Sequence, residues 1–235
     1  MTQNKYIIIP TYNERGNIEK LLQEIFALEI ENLLVLVVDD NSPDGTGELA
    51  EKLKTKFSGL EILHRQKKEG LGRAYIAGFK YALERGAAVI LHLDADFSHD
   101  PKYIPEFFRQ IENYDLVLGS RYTKGGGTKN WNLARRLISK SGNLYARIIL
   151  GLPPKDVTGG FKCYRRDVLE KIDLDNLNSI GYCFMIETTY RAWRAGFKIK
   201  EVPIIFVERA AGKSKFDLGI ILESFLKVIK LKINN

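Results

Sequence analysis

Four short apolar runs, each followed by a helix-like pattern, constrain the fold of this chain more than any other feature. The runs cover residues 6–10, 34–38, 60–63 and 88–91. After the first three, apolar residues recur at intervals of three or four, as they do along one face of a helix. Alternating strands and helices predict an α/β fold with a mostly parallel central sheet and helices on both faces.

Polar residues follow three of these runs, at residues 11–14, 39–46 and 94–96. Because the carboxyl ends of parallel strands share one rim, we expect a ligand site there. Asp94 and Asp96 suit a hard cation such as Mg²⁺, which proteins hold with one or two carboxylates and substrate phosphates. Alternatively, the two aspartates cap the helix that Pro101 opens. The companion strand ends favour the cation site.

Composition leaves the partner open. The chain has 235 residues and a net charge of +7, which favours an acidic partner: nucleic acid, an anionic membrane or a phosphorylated small molecule. Its two cysteines match no metal-binding spacing, so we expect reduced, structural thiols in a cytosolic protein. We expect no signal peptide, since the N-terminus runs straight into a predicted strand. We expect no membrane-spanning helix, since every apolar stretch is shorter than about 18 residues.

Two glycine motifs argue against common nucleotide folds. Gly70-Leu71-Gly72 lacks the spacing and the position after a first strand that a Rossmann dinucleotide site requires. Gly212-Lys213-Ser214 has no glycine five residues earlier, so it is not a P-loop.

The second half of the chain adds basic residues. A strand at 116–119 leads to Arg121, and residues 124–129 are predicted to form a mobile basic loop. The helix that follows carries Arg135, which is suited to phosphate because a guanidinium binds it bidentately. The apolar residues of that helix are spaced for one buried face: Leu133, Leu137, Ile138 and Leu144.

Two further segments leave alternatives open. Glu187 is either a buried acid near the site or a first-turn carboxylate favoured by the helix dipole. A strand at 202–207 precedes a basic segment at 208–215. The predicted domain covers residues 1–216, and residues 217–235 form an amphipathic helix that packs on it or lies on a membrane surface.

Taken in order, seven motifs resemble those of family 2 glycosyltransferases, and more closely those of the polyprenol-phosphate (dolichol-phosphate) mannose synthases. The resemblance covers nearly the whole chain to Lys215. The motifs are Pro10-Thr11-Tyr12-Asn13-Glu14, residues 39–46, Gly70-Leu71-Gly72, residues 94–99, Gly119-Ser120-Arg121-Tyr122, Thr158-Gly159-Gly160-Phe161 and residues 209–215.

The resemblance implies a GT-A fold, a nucleotide-diphospho-sugar transferase domain, and a set of site residues. The implied nucleotide ligands are Pro10, Tyr12, Glu14, Val37 and Asp39. For the diphosphate and its metal, Mg²⁺ or Mn²⁺, the implied residues are Asp94, Ala95 and Asp96, with the metal on Asp94 and Asp96. Arg121, Arg209 and Lys215 match positions that engage the donor, and we expect the catalytic set to be Asp96, Arg121 and Arg209.

The implied reaction is inverting transfer of mannose from GDP-mannose to a polyprenyl or dolichyl phosphate. Arg121 and Arg135 are the expected ligands of the acceptor phosphate. We expect a protein on the cytoplasmic face of a membrane, with or without a membrane-embedded partner subunit, and no nucleic-acid partner. Glu208 stands where the family commonly has Asp, which preserves the charge. Some members of the family have a C-terminal membrane domain, which we do not expect here, as in members that use a partner subunit or peripheral binding.

Two alternatives remain. The first keeps the family but uses UDP-glucose or another nucleotide sugar, with a lipid phosphate or a sugar hydroxyl as acceptor; a hydroxyl would require a general base. The second is a non-catalytic nucleotide-sugar-binding subunit.

Overall fold

The computed structural model describes residues 4–177, 182–208 and 218–233. Within them lie nine strands and eight α-helices. The strands are β1 (Lys5–Thr11), β2 (Leu33–Asp39), β3 (Leu60–His64), β4 (Val89–His92), β5 (Leu116–Ser120), β6 (Gly127–Lys129), β7 (Lys162–Arg165), β8 (Ile199–Pro203) and β9 (Ile205–Val207). The helices are α1 (Arg15–Phe26), α2 (Thr46–Leu53), α3 (Leu71–Glu84), α4 (Ile104–Gln110), α5 (Leu133–Leu150), α6 (Arg166–Lys171), α7 (Tyr182–Arg194) and α8 (Leu218–Ile233).

Seven strands form one sheet in the order β3-β2-β1-β4-β7-β5-β8. Strand β7 runs antiparallel to both of its neighbours, and the remaining pairs are parallel. The predicted α/β fold with a mostly parallel sheet is therefore confirmed. Strands β6 and β9 pair separately as a small parallel sheet.

Apolar side chains cover both faces of the large sheet. Alternate residues of β1 point to opposite sides, as the two-residue period of a strand requires. Ile7 and Ile9 pack with α1, α2 and α4, whereas Tyr6 and Ile8 pack with α3, α6 and α7. The two layers of helices therefore bury both faces of the sheet and leave its strand ends at the rim.

The prediction for α5 is wrong about which face is buried. Leu133, Leu137, Ile138 and Leu144 are 72%, 56%, 44% and 48% exposed. Instead, α5 buries Ala146 and Leu150 in a cluster shared with α7 and α8. Asn143 is buried too, because its side chain bonds the backbone of Lys155 and Val157.

Two local predictions also need correction. Part of the expected mobile loop, Gly127–Lys129, forms β6. The single strand expected at 202–207 is divided between β8 and β9, which belong to different sheets. Helix α8 lies within the predicted C-terminal segment and packs through Val228 and Leu231. Among the residues that the structure describes, no helix is long and apolar enough to cross a bilayer.

A fully buried lysine joins α7 to the sheet. Lys162, on β7, donates from Nζ to the Met185 carbonyl and to the hydroxyls of Thr189 (2.8 Å) and Thr188 (3.4 Å). Burial lowers the pKa of Lys162 from 10.5 to about 7, because the charged ammonium loses its hydration.

This lowered pKa predicts a pH-dependent stability. Between pH 7 and 10.5 the unfolded chain keeps a proton on Lys162 that the folded chain has lost, so stability rises with pH in that window. We expect the unfolding free energy of the wild type, relative to Lys162→Met, to rise by up to roughly 1.4 kcal/mol per pH unit. Urea denaturation of both proteins at pH 7, 8 and 9 tests this; a difference independent of pH would contradict it.

Candidate active site

The end of β1 forms the first part of the rim. Pro10 is buried within the strand, while Tyr12, just past it, is 36% exposed. The ammonium of Lys68 lies 3.7 Å from the centroid of the Tyr12 ring. The backbone N–H of Glu14 donates to the Thr46 hydroxyl at 3.0 Å, which ties this turn to the start of α2. Tyr12 thus offers a partly open aromatic surface at the rim.

The end of β2 lies beside it. Asp39 is 3% exposed and accepts hydrogen bonds from the Thr11 hydroxyl (2.9 Å), the Ser42 hydroxyl (2.6 Å) and the Ser42 N–H (3.0 Å). Its carboxylate therefore ties the ends of β1 and β2 together. The Val37 side chain is fully buried in the cluster with α1, so it lies in the core rather than on the rim.

Asp94, Ala95 and Asp96 follow β4, between the two preceding strand ends and β7. Asp94 accepts a hydrogen bond from the buried Tyr75 hydroxyl at 2.8 Å, and Asp96 accepts one from the Ser98 N–H at 3.0 Å. The capping alternative does not hold, since Asp100 caps the turn that Pro101 opens. The predicted convergence of three polar strand ends is present.

His99 packs behind Asp94 as a neutral ring. Its Nδ1 accepts the Asp94 backbone N–H at 3.2 Å, which leaves the ring proton on Nε2. Burial lowers the pKa of His99 to about 4. The ring does not carry charge at neutral pH, and Nε2 has no hydrogen-bond partner within the described part of the protein.

Arg121, just past β5, is held by a buried carboxylate. Its Nε and Nη2 donate to the two oxygens of Asp156 at 2.7 and 2.8 Å, and Nη2 also donates to Thr158 at 2.7 Å. Burial by itself would raise the pKa of Asp156, but the Arg121 charge and hydrogen bonds bring it below its usual value. Both groups are therefore ionised.

The Arg121–Asp156 pair connects to the acidic rim through the glycine turn that follows. A Cβ on Gly160 would lie 3.5 Å from Asp94 Oδ2 and 3.4 Å from His99 Cε1. The backbone at Gly160 thus sits in contact range of the Asp94 side chain, and Arg121 orders one wall of the site.

Arg121 and Arg135 both lie close to the ring of one tryptophan, Trp131. The Arg135 guanidinium lies 4.3 Å from the ring centroid of Trp131, and that of Arg121 lies 5.6 Å away. Arg135 also donates from Nη1 to Glu208. The two predicted acceptor ligands therefore lie together, each already in contact with a carboxylate.

Three further predicted residues have different outcomes. Glu187 is buried on α7 and pairs with Arg191 at 2.7 Å. Arg191 also donates to the carbonyls of Ile172 and Asn176, so the pair connects α7 to the segment that follows α6. Arg209 and Lys215 lie outside the described residues.

Sequence reasoning missed Tyr75 and Trp131. For Tyr75 a signal exists: it lies between Gly72 and Gly78 at three-residue spacing, on the face of α3 that approaches the sheet. For Trp131 the sequence contains no comparable pattern.

The donor set fits a hard divalent cation. Asp94 and Asp96 supply carboxylate oxygens at one rim, and Mg²⁺ or Mn²⁺ bound with a diphosphate needs few protein ligands. Within residues 4–177, 182–208 and 218–233, no three His, Cys, Asp or Glu side chains cluster as a self-contained metal site. A cation on Asp94 and Asp96 would have coordination positions left for phosphate oxygens and water.

The structure thus combines an acidic rim on a mostly parallel sheet with two arginines beside one tryptophan. Residues 6–173 match the family described as Glycosyl transferase family 2. The chain belongs to this glycosyltransferase family.

Two curated relatives cover nearly the full chain. Polyprenol monophosphomannose synthase of Mycolicibacterium smegmatis is 44% identical over 229 residues, which is 97% of this chain and 86% of the relative. Undecaprenyl-phosphate mannosyltransferase of Micrococcus luteus is 47% identical over 223 residues, 95% of this chain and 91% of the relative. The resemblance stated from the motifs is confirmed.

Solved structures agree on the fold. Glucosyl-3-phosphoglycerate synthase of Mycobacterium tuberculosis, in complex with Mn²⁺, UDP and glucosyl-3-phosphoglycerate, superposes with a TM-score of 0.66 at 18% identity, covering 99% of this chain and 79% of that one. The same enzyme in complex with Mg²⁺ and UDP gives a TM-score of 0.66. The predicted GT-A fold is confirmed.

Proposed function

We propose that this glycosyltransferase moves mannose from GDP-mannose to a polyprenyl phosphate, with inversion at the anomeric carbon. One observation carries the proposal. Across nearly its whole length the chain is 44% identical to a polyprenol monophosphomannose synthase and 47% identical to an undecaprenyl-phosphate mannosyltransferase. The acidic rim supports the proposal because it can bind a cation and the donor diphosphate. Arg121 and Arg135, beside Trp131, support it because they can bind the acceptor phosphate.

Asp94 and Asp96 would hold Mg²⁺ or Mn²⁺ together with the donor diphosphate. When bound, the cation stabilises the negative charge that grows on the leaving diphosphate. Tyr12, at the rim, offers its ring to the nucleotide base. Asp39 keeps the ends of β1 and β2 in register beneath it. We assign a shaping role in the donor site to three buried residues: Pro10, Val37 and Ala95. By resemblance, the proposed donor ligands also include Glu14, Arg209 and Lys215.

The acceptor needs positioning rather than deprotonation. A phosphate monoester is already an anion at neutral pH, so its oxygen attacks the anomeric carbon directly and inverts it. His99 is neutral, and Glu187 is paired with Arg191, so neither is arranged as a strong base. His99 and Glu187 therefore do not supply the base that a sugar hydroxyl would require, which supports a lipid phosphate as the acceptor.

Arg135 is the proposed acceptor-phosphate ligand. Its guanidinium is stacked on Trp131 and bonded to Glu208. A guanidinium binds carboxylate and phosphate oxygens alike, so we assign the place of the Glu208 contact with Arg135 Nη1 to the acceptor phosphate. Arg121, held by Asp156, lies on the same tryptophan and completes this side of the proposed acceptor site.

The main test measures transfer from labelled GDP-mannose to a short-chain polyprenyl phosphate with Mg²⁺ or Mn²⁺. We expect turnover by the wild type and a loss of roughly a hundred-fold in Asp96→Asn, the size typical of removing one electrostatic contact to a developing charge. Asp100→Asn is the matched control, since Asp100 caps a turn and pairs with Lys102 at 2.6 Å, outside the proposed cation site. Transfer of glucose from UDP-glucose without transfer of mannose would refute the donor assignment, and unchanged turnover in Asp96→Asn would refute the site.

A pair of variants tests the acceptor ligand. Arg135→Gln should raise the acceptor KM roughly ten-fold or more, the loss expected for a charged hydrogen bond, with the donor KM unchanged. Glu208→Gln should leave the acceptor KM unchanged or lower it, because it frees Arg135 from a competing carboxylate. If both substitutions raised the acceptor KM alike, Arg135 would serve only to hold Glu208, and the assignment would fail.

The outward face of α5 is the proposed contact with the membrane that carries the acceptor. Leu144 and Ile148 are 48% and 69% exposed, and Arg136 and Lys140 on the same helix are exposed as well. Apolar side chains with neighbouring cations suit the boundary of an anionic bilayer. Helix α8 adds exposed residues of the same kinds: Leu226, Ile229, Lys230, Lys232 and Ile233.

Flotation on vesicles of phosphatidylcholine with and without phosphatidylglycerol tests this contact. We expect the wild type to float with the anionic vesicles and less so at high salt, because salt screens surface charge. Leu144→Gln/Ile148→Gln should float several-fold less while retaining activity on a short-chain, water-soluble acceptor. Flotation equal to that of the wild type would exclude α5 as the contact.

A further inference from the structure

We propose that Tyr75 is a positioning residue that orients the Asp94 carboxylate toward the cation and diphosphate of the donor. The inference rests on the proposed function in that Asp94 is assigned to the donor side. Tyr75 lies on α3, is fully buried, and donates its hydroxyl to Asp94 Oδ1 at 2.8 Å. The Asp94 side chain itself remains 29% exposed, so the contact links the core to the rim.

The packing of α3 makes this contact possible. A Cβ on Gly78 would lie 2.5 Å from Cγ2 of Ile8, closer than real side chains approach, so the helix lies unusually near β1. Tyr75 is three residues earlier and faces the same side of the helix. The glycine therefore brings the Tyr75 hydroxyl within reach of the strand end that carries Asp94.

Aromatic neighbours hold the Tyr75 ring in place. Its centroid is 4.2 Å from that of His92, the last residue of β4, and 5.9 Å from that of Phe184 on α7. A ring packed between the sheet and a second helix has little rotational freedom. Its hydroxyl consequently fixes the direction of the carboxylate that it contacts.

A neutral donor suits this task better than a cation would. A phenol has one proton to donate, and a carboxylate that accepts it keeps its full negative charge. A lysine or arginine in the same place would compete with a metal ion for that charge. Tyr75 thus orients Asp94 and leaves its affinity for a divalent cation intact.

Tyr164 provides a matched control. It is also fully buried, packs in the same cluster, and donates its hydroxyl to Thr188 at 3.2 Å. Tyr164→Phe and Tyr75→Phe each delete one buried phenol oxygen, but only the second removes a hydrogen bond to Asp94. A purely structural effect should therefore be similar in both.

The experiment measures the Kd of GDP for each protein with Mn²⁺ and with EDTA, together with the melting temperature. We expect Tyr75→Phe to weaken GDP binding about three- to ten-fold with Mn²⁺, as for loss of one neutral hydrogen bond, and to leave binding in EDTA unchanged. Tyr164→Phe should leave both Kd values unchanged.

Equal weakening with Mn²⁺ and with EDTA, equal effects in the two variants, or no effect in Tyr75→Phe would each overturn the proposal. If the wild type proves to use another nucleotide sugar, the corresponding nucleoside diphosphate replaces GDP. Failure of the mannose assignment would then be seen in the transfer assay and would leave this measurement interpretable.

Discussion

The parallel pairing of β1 with β2 and β4 is the constraint on which the site depends. In the β1–β2 register Thr11 pairs with Asp39, and in the β1–β4 register Ile8 pairs with His92. Parallel strands end at the same rim, so three segments distant in the sequence deliver their polar residues to one place. The side chains then reinforce the register, since the Thr11 hydroxyl bonds Asp39 across two strands.

The antiparallel strand β7 supplies the opposite wall. Because β7 runs against β4 and β5, the turn before it, with Thr158 and Gly160, enters at the rim where its neighbours end. Arg121 and Asp156 fix that turn by a buried ion pair. Removing two charges from water is costly, so such a pair persists where its geometry is good and further hydrogen bonds satisfy both groups. Here Arg121 also bonds Thr158, which meets this condition.

Much of this arrangement could be predicted from the sequence, because it follows from local patterns. Apolar runs bounded by turn residues predicted the strands. Their alternation with helices predicted the parallel sheet and the rim where its strands end. What failed was the burial of α5. Periodicity marks its apolar stripe, but burial depends on what covers a helix, and the neighbours α7 and α8 cover Ala146 and Leu150 instead. The contacts of Arg121 with Asp156 and of Tyr75 with Asp94 join distant positions, and no spacing rule reports such pairs.

Two carboxylates at the rim, those of Asp156 and Asp94, are held by different kinds of neighbour. Asp156 meets a guanidinium and is ionised and neutralised as a pair. The Asp94 carboxylate accepts the Tyr75 hydroxyl, while the Asp94 backbone N–H donates to His99; both rings are uncharged at neutral pH. A neutral donor such as Tyr75 can fix the direction of a carboxylate without itself neutralising the charge. A neutral phenol therefore sets the direction of the Asp94 carboxylate, whereas an ion pair sets that of Asp156.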